Sequence, residues 1–230
     1  RRPVENRELR LLTSVRVDPF FTQTEWWPRL DHYILGQPLL RDAVSWYAPH
    51  LAESLRLIEQ LCPDKTAAIV DIGGGESTLV DDLLHRHYLD LSVLDISATA
   101  IEFTKQRLGS KASEVSWHVG NITQYEFAPR QFDLWHDRAV FHFLTEPSAR
   151  RNYVELVRRS VKPGGYVLMA TFGPNGPLQC SGLDVVRYTD DQLHNEFGEG
   201  FELLGSEINH HHTPMGTDQQ FLYCWCRRSH

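Results

Sequence analysis

The sequence has little cysteine, no long apolar run and no surplus of positive charge, and each shortage removes a class of protein. Four cysteines in 230 residues, Cys62, Cys180, Cys224 and Cys226, are too few and too scattered for a disulfide framework. Cys224 and Cys226 sit two apart in an apolar run, so on a strand they share a face as buried free thiols. This usage fits a reducing, cytoplasmic compartment. The longest uncharged stretch, Pro163 to Leu183, holds three prolines and five glycines and does not make a spanning helix. No membrane association is expected. With 23 Lys+Arg against 30 Asp+Glu the net charge is −7, which argues against a nucleic-acid binder built on a basic face. There is no internal repeat and no low-complexity tract. Arg1, Arg2, Arg7, Arg10 and Arg16 hint at a transit peptide, and so at mitochondria as the alternative compartment, but Glu5 and Glu8 oppose that reading.

What is present is ordinary globular composition, 41% hydrophobic and 23% charged. Residues 1–50 stand apart. They carry Phe20, Phe21, Trp26, Trp27, Tyr33, Trp46 and Tyr47, interrupted by Pro19, Pro28 and Pro38. Aromatics in that number are costly to leave in water. The segment reads as an N-terminal aromatic cap on a main domain spanning 51–230.

From residue 51 the pattern alternates. A helix over 51–61 precedes a short buried strand at 67–71, a helix near 79–84, a strand at 91–96 and a helix at 98–108 opened by Ser97 as N-cap. Strands follow at 115–119 and 132–135, then a helix over 148–161 ending at Lys162-Pro163-Gly164-Gly165, then a strand at 166–172. A Gly/Pro-rich loop runs from Gly173 to about Gly182. Thr189 and Gln192 form a capping box for another helix, and strands at 201–208 and 220–226 follow. Strands alternating with helices predict an α/β, doubly wound, mostly parallel sheet. The last two strands lack an intervening helix and predict an antiparallel hairpin at one edge. Such sheets bind ligands at the carboxyl ends of their strands.

The strongest local signal is Val70-Asp71-Ile72-Gly73-Gly74-Gly75-Glu76-Ser77, between the first strand and its helix. Three glycines let a ligand approach the backbone, and the helix N-terminus suits polar groups. The dinucleotide fingerprint needs a third spaced glycine, which is absent here. Asp71 would repel a pyrophosphate but attract an ammonium. An NAD-dependent oxidoreductase is therefore disfavoured. Asp95, closing the second strand beside Ile96, suits a ribose diol. Asn121, with Ile122, closes the third and suits an adenine edge and face. The competing reading of Asn121 is a plain turn residue.

These residues, together with Phe132-Asp133-Leu134-Trp135 and Lys162-Pro163-Gly164-Gly165, resemble the class I S-adenosylmethionine-dependent methyltransferases over roughly residues 45–226. The resemblance implies a seven-stranded Rossmann-like sheet with an antiparallel last strand. It implies S-adenosyl-L-methionine as cofactor and S-adenosyl-L-homocysteine as product. Carried over position by position, the cofactor residues are Trp46, Tyr47, Asp71, Gly73, Gly74, Gly75, Ser77, Asp95, Ile96, Asn121, Ile122 and His136. Ser77 replaces a glycine common in the family, and Asn121 replaces an aspartate. Trp46-Tyr47 and the run Trp135-His136-Asp137-Arg138-Ala139-Val140-Phe141-His142-Phe143-Leu144 resemble the methyltransferase-like branch. That branch includes lysine methyltransferases of elongation factor and citrate synthase, and bacterial relatives.

Methyl transfer is an in-line displacement dominated by positioning, with a base needed only when the nucleophile arrives protonated. The run after the fourth strand supplies the catalytic candidates. Asp137 would orient an amine and His142 would accept a proton. The bland alternatives are an Asp137–Arg138 ion pair and a His142 packed in a helix. Arg138, Cys180, Ser181, Arg187 and Tyr188 are the candidate substrate contacts, four of them on the long loop at the carboxyl edge. His210-His211-His212 lacks metal-ligand spacing and reads as a polar turn, so no metal is expected. The sequence has no Asn/Asp-Pro-Pro-aromatic tetrapeptide, which argues against amino-methyltransferases of DNA bases and of glutamine. The expected acceptor is a small molecule bearing a thiol, amine or similar nucleophile, or a protein lysine. The alternative is a non-catalytic cofactor-binding regulatory module.

Overall fold

The computed structural model describes residue 45 and residues 47–229. The aromatic segment up to residue 44, and Trp46, lie outside the described residues. The elements are α1 (Ala52–Leu61), β1 (Ala68–Ile72), α2 (Leu79–His85), β2 (Asp90–Asp95), α3 (Ala98–Leu108), β3 (Val115–Val119), β4 (Phe132–Arg138), α4 (Pro147–Ser160), β5 (Val161–Phe172), β6 (Gln179–Cys180), β7 (Leu183–Asp184), α5 (Asp190–Phe197), β8 (Phe201–His212) and β9 (Asp218–Arg228). Short 3-10 turns cover Gly109–Glu114 and Phe141–Phe143.

Seven strands form one sheet in the order β3-β2-β1-β4-β5-β9-β8. The pairs from β3 through to β5 are parallel, and β9 runs antiparallel to both β5 and β8. Strand order reverses beside β1, so the β1 and β4 carboxyl ends open a crevice. β1 is buried along all five residues, as expected of a central parallel strand covered on both faces. One apolar cluster, with Trp135, Tyr153, Phe141 and Met169, lies on the α4 and α5 side. The other, with Leu57, Ile58, Leu79, Leu168, Phe172 and Phe221, lies on the α1 and α2 side.

The caps follow the local sequence. Ser97 Oγ accepts from Ala100 N at 3.1 Å, and Thr189 with Gln192 forms both bonds of its capping box. Pro147 opens α4, where its missing N–H costs nothing.

Three elements differ from expectation. β4 runs three residues further than 132–135, so His136, Asp137 and Arg138 belong to a strand and alternate across the sheet. β8 continues through His212, with His210, His211 and His212 paired to Gln220, Gln219 and Asp218. The histidines are therefore strand residues, and the polar turn lies at 213–217. The loop after β5 folds into the small hairpin β6–β7, with Ser181 and Gly182 at positive φ at its tip. All four cysteines are free and buried, and Cys224 and Cys226 face the same cluster. Among the described residues no helix is long and apolar enough to cross a membrane.

Candidate functional site

The loop leaving β1 is glycine for reasons internal to the fold as well as for access. Gly73 has φ +72°, the left-handed region that side chains avoid, and a Cβ there would sit 2.2 Å from Val140. A Cβ on Gly74 would fall 2.4 Å from Asp71 Oδ2, and one on Gly75 would fall 2.6 Å from Asp95 Oδ2. The glycines thus keep a cradle open above two carboxylates.

Asp71 is the deeper of the two. His136 faces it directly across the β1–β4 register, and His136 Nδ1 donates to Asp71 Oδ1 at 2.6 Å. A carboxylate only accepts, so the proton is on Nδ1. His136 Nε2 lies 2.9 Å from Ser54 Oγ on α1, and Ser54 Oγ lies 3.4 Å from Tyr223 OH on β9. All of these groups are buried. The chain of bonds fixes one oxygen of Asp71 and leaves the other, Oδ2, buried without a partner. Buried polar atoms are seldom left so. An orphan carboxylate oxygen under a glycine cradle is a seat for a cation.

Asp95 closes β2 next to that seat. Its Oδ2 accepts from Gly75 N at 2.9 Å and its Oδ1 from Ser97 N at 2.8 Å. Burial pushes its carboxyl up to about 6, against the pull of those two N–H groups. Each oxygen keeps a second lone pair, so the group is able to accept from a diol. Ile96 beside it is half-buried. Asn121 adopts the turn form anticipated as its alternative, because its Oδ1 accepts from Thr123 N and Oγ1 at 3.0 and 2.9 Å. Ile122 is packed in the core below. Ser77 Oγ accepts from Leu79 N at 3.1 Å and starts α2. Tyr47 is described and half-buried.

The two catalytic candidates occupy different surroundings from those expected. Asp137 points to the opposite side of the sheet from Asp71 and is fully buried. It accepts from Val140 N (2.9 Å), from Phe141 N and from Tyr153 OH (2.5 Å), while Trp135 Nε1 donates to the same Tyr153 oxygen. Burial raises its carboxyl to about 6 despite these donors. Asp137 therefore shapes the turn that follows β4, and the alternative reading, an ion pair with Arg138, is not realised because successive strand residues point apart. His142 sits in the 3-10 turn rather than a helix. It is fully buried, and burial with the nearby Arg138 charge pushes its imidazole down to about 3. Ala139, between them, adopts φ +69°, a strained conformation of the kind found at functional sites.

Arg138 returns to the Asp71 face, its guanidinium 4.4 Å from the Phe221 ring centre. The loop candidate Cys180 is buried, and burial pushes its thiol up to about 11 against the Ser181 hydrogen bond and the Arg138 charge. Ser181 is exposed at the hairpin tip. Arg187 is exposed and donates to Gly176 O. Tyr188 is core, 5.9 Å from the Phe141 ring. Arg187 and Tyr188 are thus not drawn towards Arg138, because the chain after the β6–β7 hairpin turns them outward or inward past it. Sequence reasoning missed Ser54, Tyr223, His211 and Gln219. Among them His211 carried a signal, since alternation from Phe201 along a longer β8 places it inward, where its Nε2 lies 2.9 Å from Ser45 O. Among the described residues no group of His, Cys, Asp and Glu is arranged to hold a metal.

Residues 69–165 match the model of a family described as a methyltransferase domain. A malonyl-[acyl-carrier protein] O-methyltransferase from Paenibacillus sp. (strain JDR-2) is 26% identical over 147 residues, covering 62% of this chain and 48% of its own. EEF1A lysine methyltransferase 2 from Danio rerio is 24% identical over 156 residues, covering 65% and 61%. The chain thus spans about half to three fifths of the length of these curated relatives. The structure of 1,6-didemethyltoxoflavin-N1-methyltransferase from Burkholderia thailandensis shares the fold with a TM-score of 0.67, at 15% identity, over 93% of this chain and 94% of that one.

Proposed function

Because this chain carries a methyltransferase domain on a class I, Rossmann-like sheet, we propose that it moves a methyl group from S-adenosyl-L-methionine to a small-molecule nucleophile. The observation that carries this reading is the unpartnered Asp71 Oδ2 beneath the Gly73–Gly75 cradle. When bound, S-adenosyl-L-methionine supplies a methyl group on a positively charged sulfur. Asp71 would hold its ammonium, which matches a buried anionic oxygen in charge and in hydrogen-bonding capacity. Asp95 would accept from the ribose hydroxyls, as acidic residues at the second strand do in dinucleotide sheets. Asn121 and Ile122 would meet the adenine. His136, walled off behind Asp71, is a positioning residue rather than a contact.

Nothing in this arrangement demands proton transfer by the chain. The protein's task is to align the nucleophile with the methyl and to exclude water. Asp137 contributes by fixing the turn at 139–143, and His142 by filling it. A small-molecule acceptor is supported by the N1-methyltransferase likeness, while the O-methyltransferase acts on an acyl group carried by a protein and the EEF1A enzyme on lysine.

The test is incubation of the purified chain with methyl-labelled donor and cell extract, followed by separation of macromolecules from small solutes. Label in the small-solute fraction, lost in Asp71→Asn, is the expected result. Label confined to protein would replace the small-molecule acceptor with lysine. No affinity of the chain for S-adenosyl-L-homocysteine by calorimetry would remove the reading.

A further inference from the structure

Four buried polar groups run in single file beneath the glycine cradle, and their order has a direction. His136 Nδ1 lies 2.6 Å from Asp71 Oδ1, His136 Nε2 lies 2.9 Å from Ser54 Oγ, and Ser54 Oγ lies 3.4 Å from Tyr223 OH. They come from β1, β4, α1 and β9, and none is more than 4% exposed. Carboxylate, imidazole and hydroxyl stand in the order of a hydrolytic triad, but here the hydroxyl end is the closed one. Ser54 belongs to the buried residues of α1, with Leu55, Leu57 and Ile58, so it is no nucleophile. The end left without a partner is Asp71 Oδ2.

Serine is an unfavourable choice for the buried face of α1. It forms helix less readily than alanine, and a buried hydroxyl is costly unless hydrogen-bonded. It caps nothing, since the start of α1 has no side-chain cap bond. Among the described residues its hydroxyl meets His136 and Tyr223 alone.

That hydroxyl has one proton to give. If Tyr223 donates to Ser54 Oγ and Ser54 donates to His136 Nε2, every hydroxyl proton in the file is used. The imidazole then carries its single proton on Nδ1, toward Asp71. In the reverse order His136 Nε2–H would donate to Ser54 and Ser54 to Tyr223, whose own proton would have no acceptor among the described residues. The reverse order also fails at the seat. With a proton on Nε2 alone, the Nδ1 lone pair would face Asp71 Oδ1 at 2.6 Å. With both nitrogens protonated, an imidazolium would offset the carboxylate and repel a ligand ammonium. Only the forward order leaves Asp71 both oriented and anionic.

We propose that Ser54 is a positioning residue for the donor's amino-acid end: its hydroxyl, oriented by Tyr223, holds His136 as the neutral Nδ1–H tautomer and so keeps Asp71 Oδ2 anionic beneath the glycines. The inference rests on the methyl-transfer reading above and adds the residues that tune its ligand seat from behind.

The experiment joins nitrogen NMR of the histidine rings to calorimetry, both on the full chain. All 12 histidines are isotope-labelled on their ring nitrogens, and the His136 signals are those lost in His136→Leu. In the wild-type complex with S-adenosyl-L-homocysteine, His136 Nδ1 should carry the proton and Nε2 should not. Ser54→Ala should add a form protonated on Nε2 and weaken S-adenosyl-L-homocysteine by about threefold to tenfold, the worth of one hydrogen bond. Adenosine, which has no ammonium, should lose less than about twofold and so reports a correctly folded site. Tyr223→Phe keeps the ring and removes the loosest link, at 3.4 Å, so it should move both readouts the same way by less. A wild-type His136 protonated on Nε2 overturns the proposal. So does a Ser54→Ala variant with the wild-type spectrum, with a loss below about threefold, or with a loss shared equally by adenosine. Should that variant not fold, the wild-type spectrum and Tyr223→Phe decide. No affinity of the wild-type chain for S-adenosyl-L-homocysteine strikes the methyl-transfer reading instead.

Discussion

Replacing His136 by leucine or phenylalanine severs Asp71 from its one hydrogen-bond donor among the described residues. The bond is short, charge-assisted and buried, which places its worth near the upper end for hydrogen bonds to charged groups, about 1.5 to 3 kcal/mol. Without it the carboxylate is free to turn, and an unpaired buried charge is costly to keep. The energy lost to orientation is drawn from affinity for the ammonium, so S-adenosyl-L-homocysteine should bind about tenfold to a hundredfold more weakly. The informative control is 5′-methylthioadenosine, which has the adenosine and sulfur but no amino acid. Its affinity should change by less than about twofold, because Asp95, Asn121 and Ile122 are untouched. Calorimetry on both ligands with both variants gives the comparison. Equal weakening of the two ligands would mean that His136 merely supports the fold. Unchanged binding of S-adenosyl-L-homocysteine would show that Asp71 needs no such support, and the argument from the orphan oxygen would fail.

Three further outcomes follow from the same geometry. Since burial raises the Asp95 carboxyl to about 6 and only the carboxylate accepts from both ribose hydroxyls, affinity for S-adenosyl-L-homocysteine should decline as pH falls through 6, by up to about tenfold per unit. Asp95→Asn should flatten that profile at the low-affinity level, and a wild-type profile independent of pH between 5 and 8 would contradict the assignment. Gly74→Ala puts a methyl group 2.4 Å from Asp71 Oδ2 and should reduce cofactor binding at least about tenfold with little loss of secondary structure by circular dichroism; undiminished binding would show that the cradle is not the seat. Tyr153→Phe removes a hydroxyl that donates to Asp137 and accepts from Trp135, so urea unfolding should show a loss of about 2 to 4 kcal/mol, while a loss under about 0.5 kcal/mol would deny Asp137 its structural role.

The sheet was readable because its signals are local and repeated. Apolar runs of strand length between capped helices are visible without tertiary knowledge, as Ser97 and Thr189 show. The candidate cofactor positions stand out for a similar reason: Asp71, Gly73 and Asp95 lie at strand ends, where an α/β sheet puts its ligands. What was hidden depends on side-chain direction and on partners far away in the chain. The sequence pattern ends β4 at Trp135, ahead of the polar run His136-Asp137-Arg138. Each charge is answered by a distant group, Asp71, Tyr153 or the Phe221 ring, and nothing near it in the chain announces these. The same blindness turned three histidines of β8 into a turn. Their cross-strand partners, Gln219 among them, lie beyond the bend, and their strand character is a property of the pair.

The alternation along β4 sets a fixed length into the molecule. His136 and Arg138 project from one face, two positions apart, about 6.6 Å along an extended backbone. One braces the residue that would anchor the donor's amino-acid end, and the other reaches over the Phe221 ring. A paired strand does not stretch, so that interval holds the Asp71 brace at a set distance from the Phe221 ring. A one-residue insertion between the two residues would carry Arg138 to the far side of the sheet.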